Sequence, residues 1–334
     1  MSFQGILGHD RAIGVLKQAI AAGKVAHAHL FAGPDGIGKK LVARAFALAL
    51  NCSAGGGDAC GACGDCVAMC AGTHPNLLEV GPVDADGEPD ELGLVRIGQV
   101  REVQGALRYK AERGMKAVII DRADRLMPAA ANAFLKTLEE PPGDSVIILI
   151  SSKPAELLPT VLSRCHRINF RPLPEETVRA FLIEKKGVAP AEAGAVARLS
   201  EGSLSRASAY IDDGAHHKGR AVIERLSALG PDDADEALKF AEELSKRDDL
   251  DEMLDFLKSW YRDRIVALEG AAHLIANIDM QRQMKDNRVE GFNRLRSAFQ
   301  AVEEAKKNIS PPRYGNKQLT LEALMLRLSG AHSM

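Results

Sequence analysis

Three apolar runs lack the polar alternation of a half-exposed strand: "AHLFA" (28–32), "AVIID" (117–121) and "SVIILIS" (145–151). Such runs predict strands buried on both faces, as in a parallel sheet covered by helices. "HRINF" (166–170) predicts a last short strand, ended by Pro172. Between the runs the apolar period becomes helical. In "DRAIGVLKQAIAAGK" (10–24), Ile13, Leu16 and Ile20 share one face, with Asp10 as N-cap. An Ala/Leu-rich helix is expected over 39–50, and another within 128–143, stopped by Pro141 and Pro142. Strands and helices in alternation predict a doubly wound α/β domain.

After "RPLPEETV" the strand pattern stops. Helices are expected near 175–186, 190–200 and 203–212, then long amphipathic helices to about 330. Among these are "DEALKFAEELSKR" (235–247) and "VEGFNRLRSAFQAVEEAKKNI" (289–309), the latter with Phe292, Leu295, Phe299 and Val302 at helical spacing. The expected division is an α/β domain over 1–170, a small helical lid over 171–212 and an all-helical domain over 213–334.

Composition changes this picture little. The formal charge is −2, which argues against a chain that grips nucleic acid alone through a large basic surface, though a local patch stays open. No apolar run approaches the ~20 residues of a membrane span. The opening "MSFQGILGHDRA" lacks the pattern of a secretory signal, so a cytoplasmic location is expected.

The candidate chemistry begins with "GPDGIGKK" (33–40), which follows the first predicted strand and opens a helix. The spacing G-x-x-x-x-G-K is that of a phosphate-binding loop. Gly33, Gly36 and Gly38 let the backbone turn its N–H groups toward an anion, and Lys39 reaches the β- and γ-phosphates. The competing reading is a glycine-rich turn with a chance lysine. Position 40 should be Ser or Thr, to give a hydroxyl oxygen to Mg2+, and an ammonium cannot ligate a cation. Asp121 ends the second long strand, where a magnesium-orienting aspartate belongs, but Arg122 follows in place of a glutamate general base. The loop is expected to be able to bind ATP or ADP while holding Mg2+ poorly. Asp124 is read as a helix cap.

Five of the six cysteines fall between Cys52 and Cys70. Cys52, Cys60, Cys63 and Cys66 have the two-residue gaps and the thiolate count of a closed, structural Zn2+ site. Reduced thiols or a redox pair are the alternative. Cys70 is expected to be the spare, and His74 is a weaker candidate.

"FQGILGHDRAIGVLKQAI", "HAHLFAGPDGIGK", the cysteine insertion, "AVIIDRADRLMPAAANAFLKTLEEPP" and "SSKPAELLPTVLSRC" occur in an order that resembles the AAA+ clamp-loader ATPases of bacterial replication. The resemblance is strong over 1–212 and weaker to the end, where "NKQLTLEALMLRL" (316–328) is similar to a final helix of that family. It implies a P-loop NTPase core, a helical lid and a collar domain for oligomerisation. It also implies a place in the DNA polymerase III holoenzyme, a nucleotidyltransferase. The implied assembly is a hetero-pentamer with motor subunits (gamma/tau) and a delta subunit, acting on a sliding clamp and primed DNA. In that family Arg164, in "SRC", is a trans arginine finger serving the neighbour's ATP site. Ser151 and Ser152 lie where a γ-phosphate sensor is found, and Arg206 in "GSLSRA" matches a nucleotide-sensing lid arginine. Lys40 and Arg122 fit a stator that does not hydrolyse ATP better than an ATP-hydrolysing motor. The absence of a long tail after Met334 points the same way.

Overall fold

Five parallel strands make one sheet: β1 (Ala28–Ala32), β2 (Leu77–Val80), β3 (Lys116–Ile120), β4 (Ser145–Ser151) and β5 (His166–Asn169), in the order β2-β3-β4-β1-β5. They are seen in a computed structural model that describes residues 2–84, 86–90, 93–111, 113–212, 215–247, 249–271, 274–275, 277, 280, 284, 291–309 and 315–330. The helices of this region are α1 (Asp10–Ala21), α2 (Lys39–Asn51), α3 (Gly64–Cys70), α4 (Ile97–Leu107), α5 (Pro128–Glu139) and α6 (Pro159–Leu162).

Successive residues of a strand face opposite sides, and here both sides are apolar. Phe31, Ile119, Ile148 and Ile150 join Leu16 of α1 and Val42 and Phe46 of α2 in one core layer. Leu30, Val118, Ile120, Ile147 and Leu149 join Val100 and Val103 of α4 and Phe134 and Leu138 of α5 in the other. The architecture is thus a three-layer α/β sandwich, and its uninterrupted strands are those without polar alternation.

Some boundaries differ from the sequence reading. Helix α1 begins at Asp10 itself, so Asp10 is not the N-cap. His9 holds that position in a left-handed conformation (φ 63°), and its ring turns away to the loop after β1 rather than capping the helix. Strand β2 and helix α4 were not anticipated. β2 is only partly buried, so it has no long apolar run.

His29 of β1 is buried between the rings of Phe46 and His166, with ring centroids 5.4 and 5.8 Å away. Burial, reinforced by His166, lowers its pKa from 6.5 to about 4. The unfolded chain therefore takes up a proton near pH 6.5 that the folded chain refuses until about pH 4. Stability is fully present above pH 6.5 and falls through this window, by about 3 kcal/mol in all from this group. Urea unfolding of wild type and His29→Phe across pH 4–7 checks this. The wild type should lose stability more steeply on acidification, and parallel curves would exclude His29.

The chain divides into two compact units: Met1–Thr177 with Gly202–Ser205, and Val178–Glu201 with Arg206–Met334. The remaining helices are α7 (Glu175–Lys186), α8 (Pro190–Leu199), α9 (Leu204–Asp212), α10 (Ala215–Ala228), α11 (Ala234–Ser245), α12 (Leu250–Leu268), α13 (Phe292–Ile309) and α14 (Lys317–Ser329). Within the second unit α11 packs on α14 and α12 on α13, with Phe256, Leu257 and Trp260 of α12 buried. On α13 the buried stripe runs Leu295, Ala301, Val302, Ala305 and Ile309. Phe292, expected on that face, is 43% exposed because it opens the helix, one turn before the stripe begins. Residues 289–290 of that expected helix lie outside the described residues. No described helix is long and apolar enough to cross a membrane.

Candidate nucleotide cradle and thiolate cluster

The sheet order sets β3, β4 and β1 side by side, with Ala32 level with Ser151 and Ile120 level with Leu149. The loop after β1, Asp121 after β3, and Ser151 at the end of β4 therefore share the carboxyl edge of the sheet. This is where ligands bind in open α/β sheets.

Gly33 leaves β1 against the backbone of Phe170, whose carbonyl oxygen a Cβ would meet at 2.5 Å. Gly36 has φ 71°, a region that favours glycine, and a Cβ there would press on Ser203 and Ser205. The loop carbonyls are braced by fixed donors. Lys39 Nζ donates to Gly33 O (2.6 Å) and Pro34 O, Ser205 N to Gly36 O (3.2 Å), His9 Nε2 to Ile37 O (2.7 Å) and Val42 N to Gly38 O (3.1 Å). Lys39 is 4% exposed, and burial holds its ammonium below the ordinary lysine value, opposed by Asp35.

The next residue has a partner 81 positions away. Lys40 Nζ lies 2.9 Å from Asp121 Oδ2 and 3.9 Å from Glu79 Oε2. Arg44, one turn along α2, takes both oxygens of Glu79. The other oxygen of Asp121 accepts the Arg122 backbone N–H at 3.0 Å. Both Asp121 oxygens are thus engaged, one by an ammonium. This arrangement does not fit a magnesium ion, which would face a fixed positive charge on the carboxylate meant to orient it. Arg122 is left-handed (φ 48°).

Asp124 is not a helix cap. Its Oδ1 accepts from Ser151 Oγ (2.5 Å) and from Ser152 N (3.1 Å), tying the turn after β3 to the end of β4. Cross-strand anchoring wins because β3 and β4 are neighbours, which puts the carboxylate beside two donors. Ser151 is fully buried, and its hydroxyl also accepts Lys153 N (3.0 Å).

Arg164 stands just beyond α6. Its Nη1 donates to Thr160 O (2.8 Å), and its Nη2 pairs with Glu139 at the end of α5. None of these is a cradle residue, and a third of the side chain stays exposed. Arg206, in the second unit, pairs with Glu201 (3.1 Å) and with Asp255 of α12 (3.7 Å). Asp255 also receives Lys306 of α13 at 2.7 Å.

The cysteine insertion folds as a knuckle. Cys52 follows α2, Cys60 and Cys63 flank a turn, and Cys66 lies on α3. The four sulfurs lie within 4.8 Å of one another, with Cys52–Cys63 and Cys60–Cys66 both at 4.0 Å. Four thiolates around one zinc at ~2.3 Å would stand about 3.8 Å apart, so the cluster fits a tetrahedral metal. Cys60 Sγ accepts Cys63 N (3.3 Å), and Cys63 Sγ accepts Cys66 N (3.4 Å). Such donors favour the thiolates a metal requires. Cys70 is exposed and is not one of the four. His74 turns instead to Asp65 (3.5 Å).

His9, Arg44, Glu79 and Glu139 escaped the sequence reading, since each acts through a partner remote along the chain. The only hint was Glu79, a charge inside the otherwise apolar "LLEV".

A family model described as DNA polymerase III, delta subunit, matches residues 8–174. A second, described as DNA polymerase III, delta subunit, C terminal, matches 220–330. The DNA polymerase III subunit delta prime of Pseudomonas aeruginosa is 38% identical over 61% of this chain and 61% of its own length. That of Bacillus subtilis is 29% identical over 95% of both chains. The DNA polymerase III subunit tau of Escherichia coli is 31% identical over 72% of this chain, which spans only 38% of tau. A solved structure of a gamma subunit-related protein from Thermotoga maritima aligns over 96% of this chain and 99% of its own, with 17% identity and a TM-score of 0.44. Two family models in register with the first and second units leave one conclusion: the chain belongs to the DNA polymerase III delta-subunit family, that of the clamp-loader delta prime subunits.

Proposed function

We propose that the chain is the stator subunit of a DNA polymerase III clamp loader, which keeps a phosphate cradle but does not hydrolyse ATP. The observation that carries this reading is the Lys40–Asp121 ion pair at 2.9 Å, which sets an ammonium where the reaction needs a metal. Arg122, where a general base would stand, supports it. The nucleotide-binding set within the first unit is Gly33, Gly36, Gly38, Lys39, Lys40 and Asp121. The partners are motor subunits of the gamma/tau kind and a delta subunit in a hetero-pentamer. Through that ring the chain takes part in loading the sliding clamp on primed DNA. Arg164 serves the ATP site of the adjacent motor in trans. Cys52, Cys60, Cys63 and Cys66 hold a structural zinc, which when bound stitches the end of α2 to α3.

The likeness to tau favours a second reading, an ATP-hydrolysing motor of the same complex. ATP turnover by the purified chain with primed DNA separates the two. The stator reading expects no turnover above background and no change in Lys39→Ala. Turnover that Lys39→Ala abolishes would establish the motor.

A further inference from the structure

The cradle offers donors without a metal. The first N–H groups of α2 have no acceptor within the helix, whereas the carbonyls of Gly33, Pro34, Gly36, Ile37 and Gly38 are all engaged. A run of N–H groups left over at a helix start, with its carbonyls pinned, is a fixed anion receptor. Two ammonium groups stand at its end. Lys39 is buried within the loop, and Lys40 is anchored by Asp121.

In a magnesium-dependent site, Asp121 would orient the cation and residue 40 would ligate it. Here the side chain of residue 40 carries the positive charge itself, on the same carboxylate. An ammonium has three donors. One goes to Asp121, and with 41% of the side chain exposed the others remain for a phosphate oxygen. Glu79 would add negative charge beside the cradle, but Arg44 takes both of its oxygens. The cluster is thus balanced without a divalent ion.

We infer that Lys40 is a tethered counter-cation in magnesium's place, so that this loop binds a nucleoside di- or triphosphate independently of divalent metal. The inference rests on reading Gly33–Lys39 as a phosphate loop and is separate from the stator role.

Titration calorimetry of the full chain with ADP, once with magnesium and once with EDTA, tests it. Equal affinity in the two buffers is expected. Lys40→Met should weaken binding in both by roughly 10- to 100-fold, the loss of one charge-assisted hydrogen bond. Lys40→Thr should weaken it similarly in EDTA and regain affinity with magnesium, since a hydroxyl ligand returns and Asp121 is freed. Wild-type binding that requires magnesium, or is about tenfold tighter with it, overturns the inference and leaves the phosphate loop standing. Absence of ADP binding in either buffer overturns both. The wild-type comparison stands even if a variant does not fold.

Discussion

Replacing Arg164 with Ala is expected to slow ATP hydrolysis at the neighbouring motor site by roughly 10³- to 10⁵-fold, the range for an arginine finger supplied in trans. The side chain is presented rather than packed away. Thr160 O holds one end of the guanidinium and Glu139 the other, and a third of the side chain faces solvent. Its planar fork can exchange the Glu139 carboxylate for the equatorial oxygens of a transferring phosphoryl group. Lys cannot reproduce that geometry, so Arg164→Lys should stay slow. The measurement is single-turnover hydrolysis by a ring reconstituted with its motor subunits, arranged so that only the site beside this chain is competent. Losing the exposed pair with Glu139 costs the folded chain at most about 1 kcal/mol, so assembly should survive. An unchanged rate in an intact ring would remove Arg164 from the neighbour's site.

The backbone of the cradle was legible because its requirements are local. Gly33, Gly36, Gly38 and Lys39 must lie at fixed spacing between a strand and a helix, and spacing is what a sequence displays. The unbroken strands were legible for the same reason, since burial on both faces leaves no polar position to disguise. What Lys40 does was half legible. The sequence shows a lysine where the loop pattern expects a hydroxyl, but not that the ammonium lands on Asp121, 81 positions on. That contact exists only because a single strand, β4, separates β3 from β1 in the sheet order. Asp124 was misread by the same limitation, since its donors sit on a strand reached after a whole intervening helix. Phe292 was misread for a different reason. Periodicity identifies a face but not where along a helix packing begins.

Loss of metal from the cysteine knuckle should be among the larger stability effects of a single substitution. Purified chain is expected to carry about one zinc, by mass spectrometry of its metal content. Cys66→Ser should abolish it. Cys66 is fully buried, and it shares the core layer with Met69, Ala59, Phe46 and Ala47, while Cys52 and Cys63 pack at the edge of that layer. Isolated zinc fingers unfold without their ion, because binding supplies roughly 10–16 kcal/mol that the short chain cannot otherwise find. Here the knuckle is joined to a sheet with its own core, so only part of that energy is felt. A loss of about 4 kcal/mol, the scale at which metal loss stands out among point substitutions, would lower Tm by roughly 8–16 °C for a unit of this size. Cys70→Ser is the control. Cys70 is exposed and outside the cluster, so metal content and Tm should stay at wild-type values. Loss of metal in Cys70→Ser would mean that the ligand set is wrong. A metal-free wild type that melts at the same temperature with and without added zinc would mean that the four thiols hold no metal.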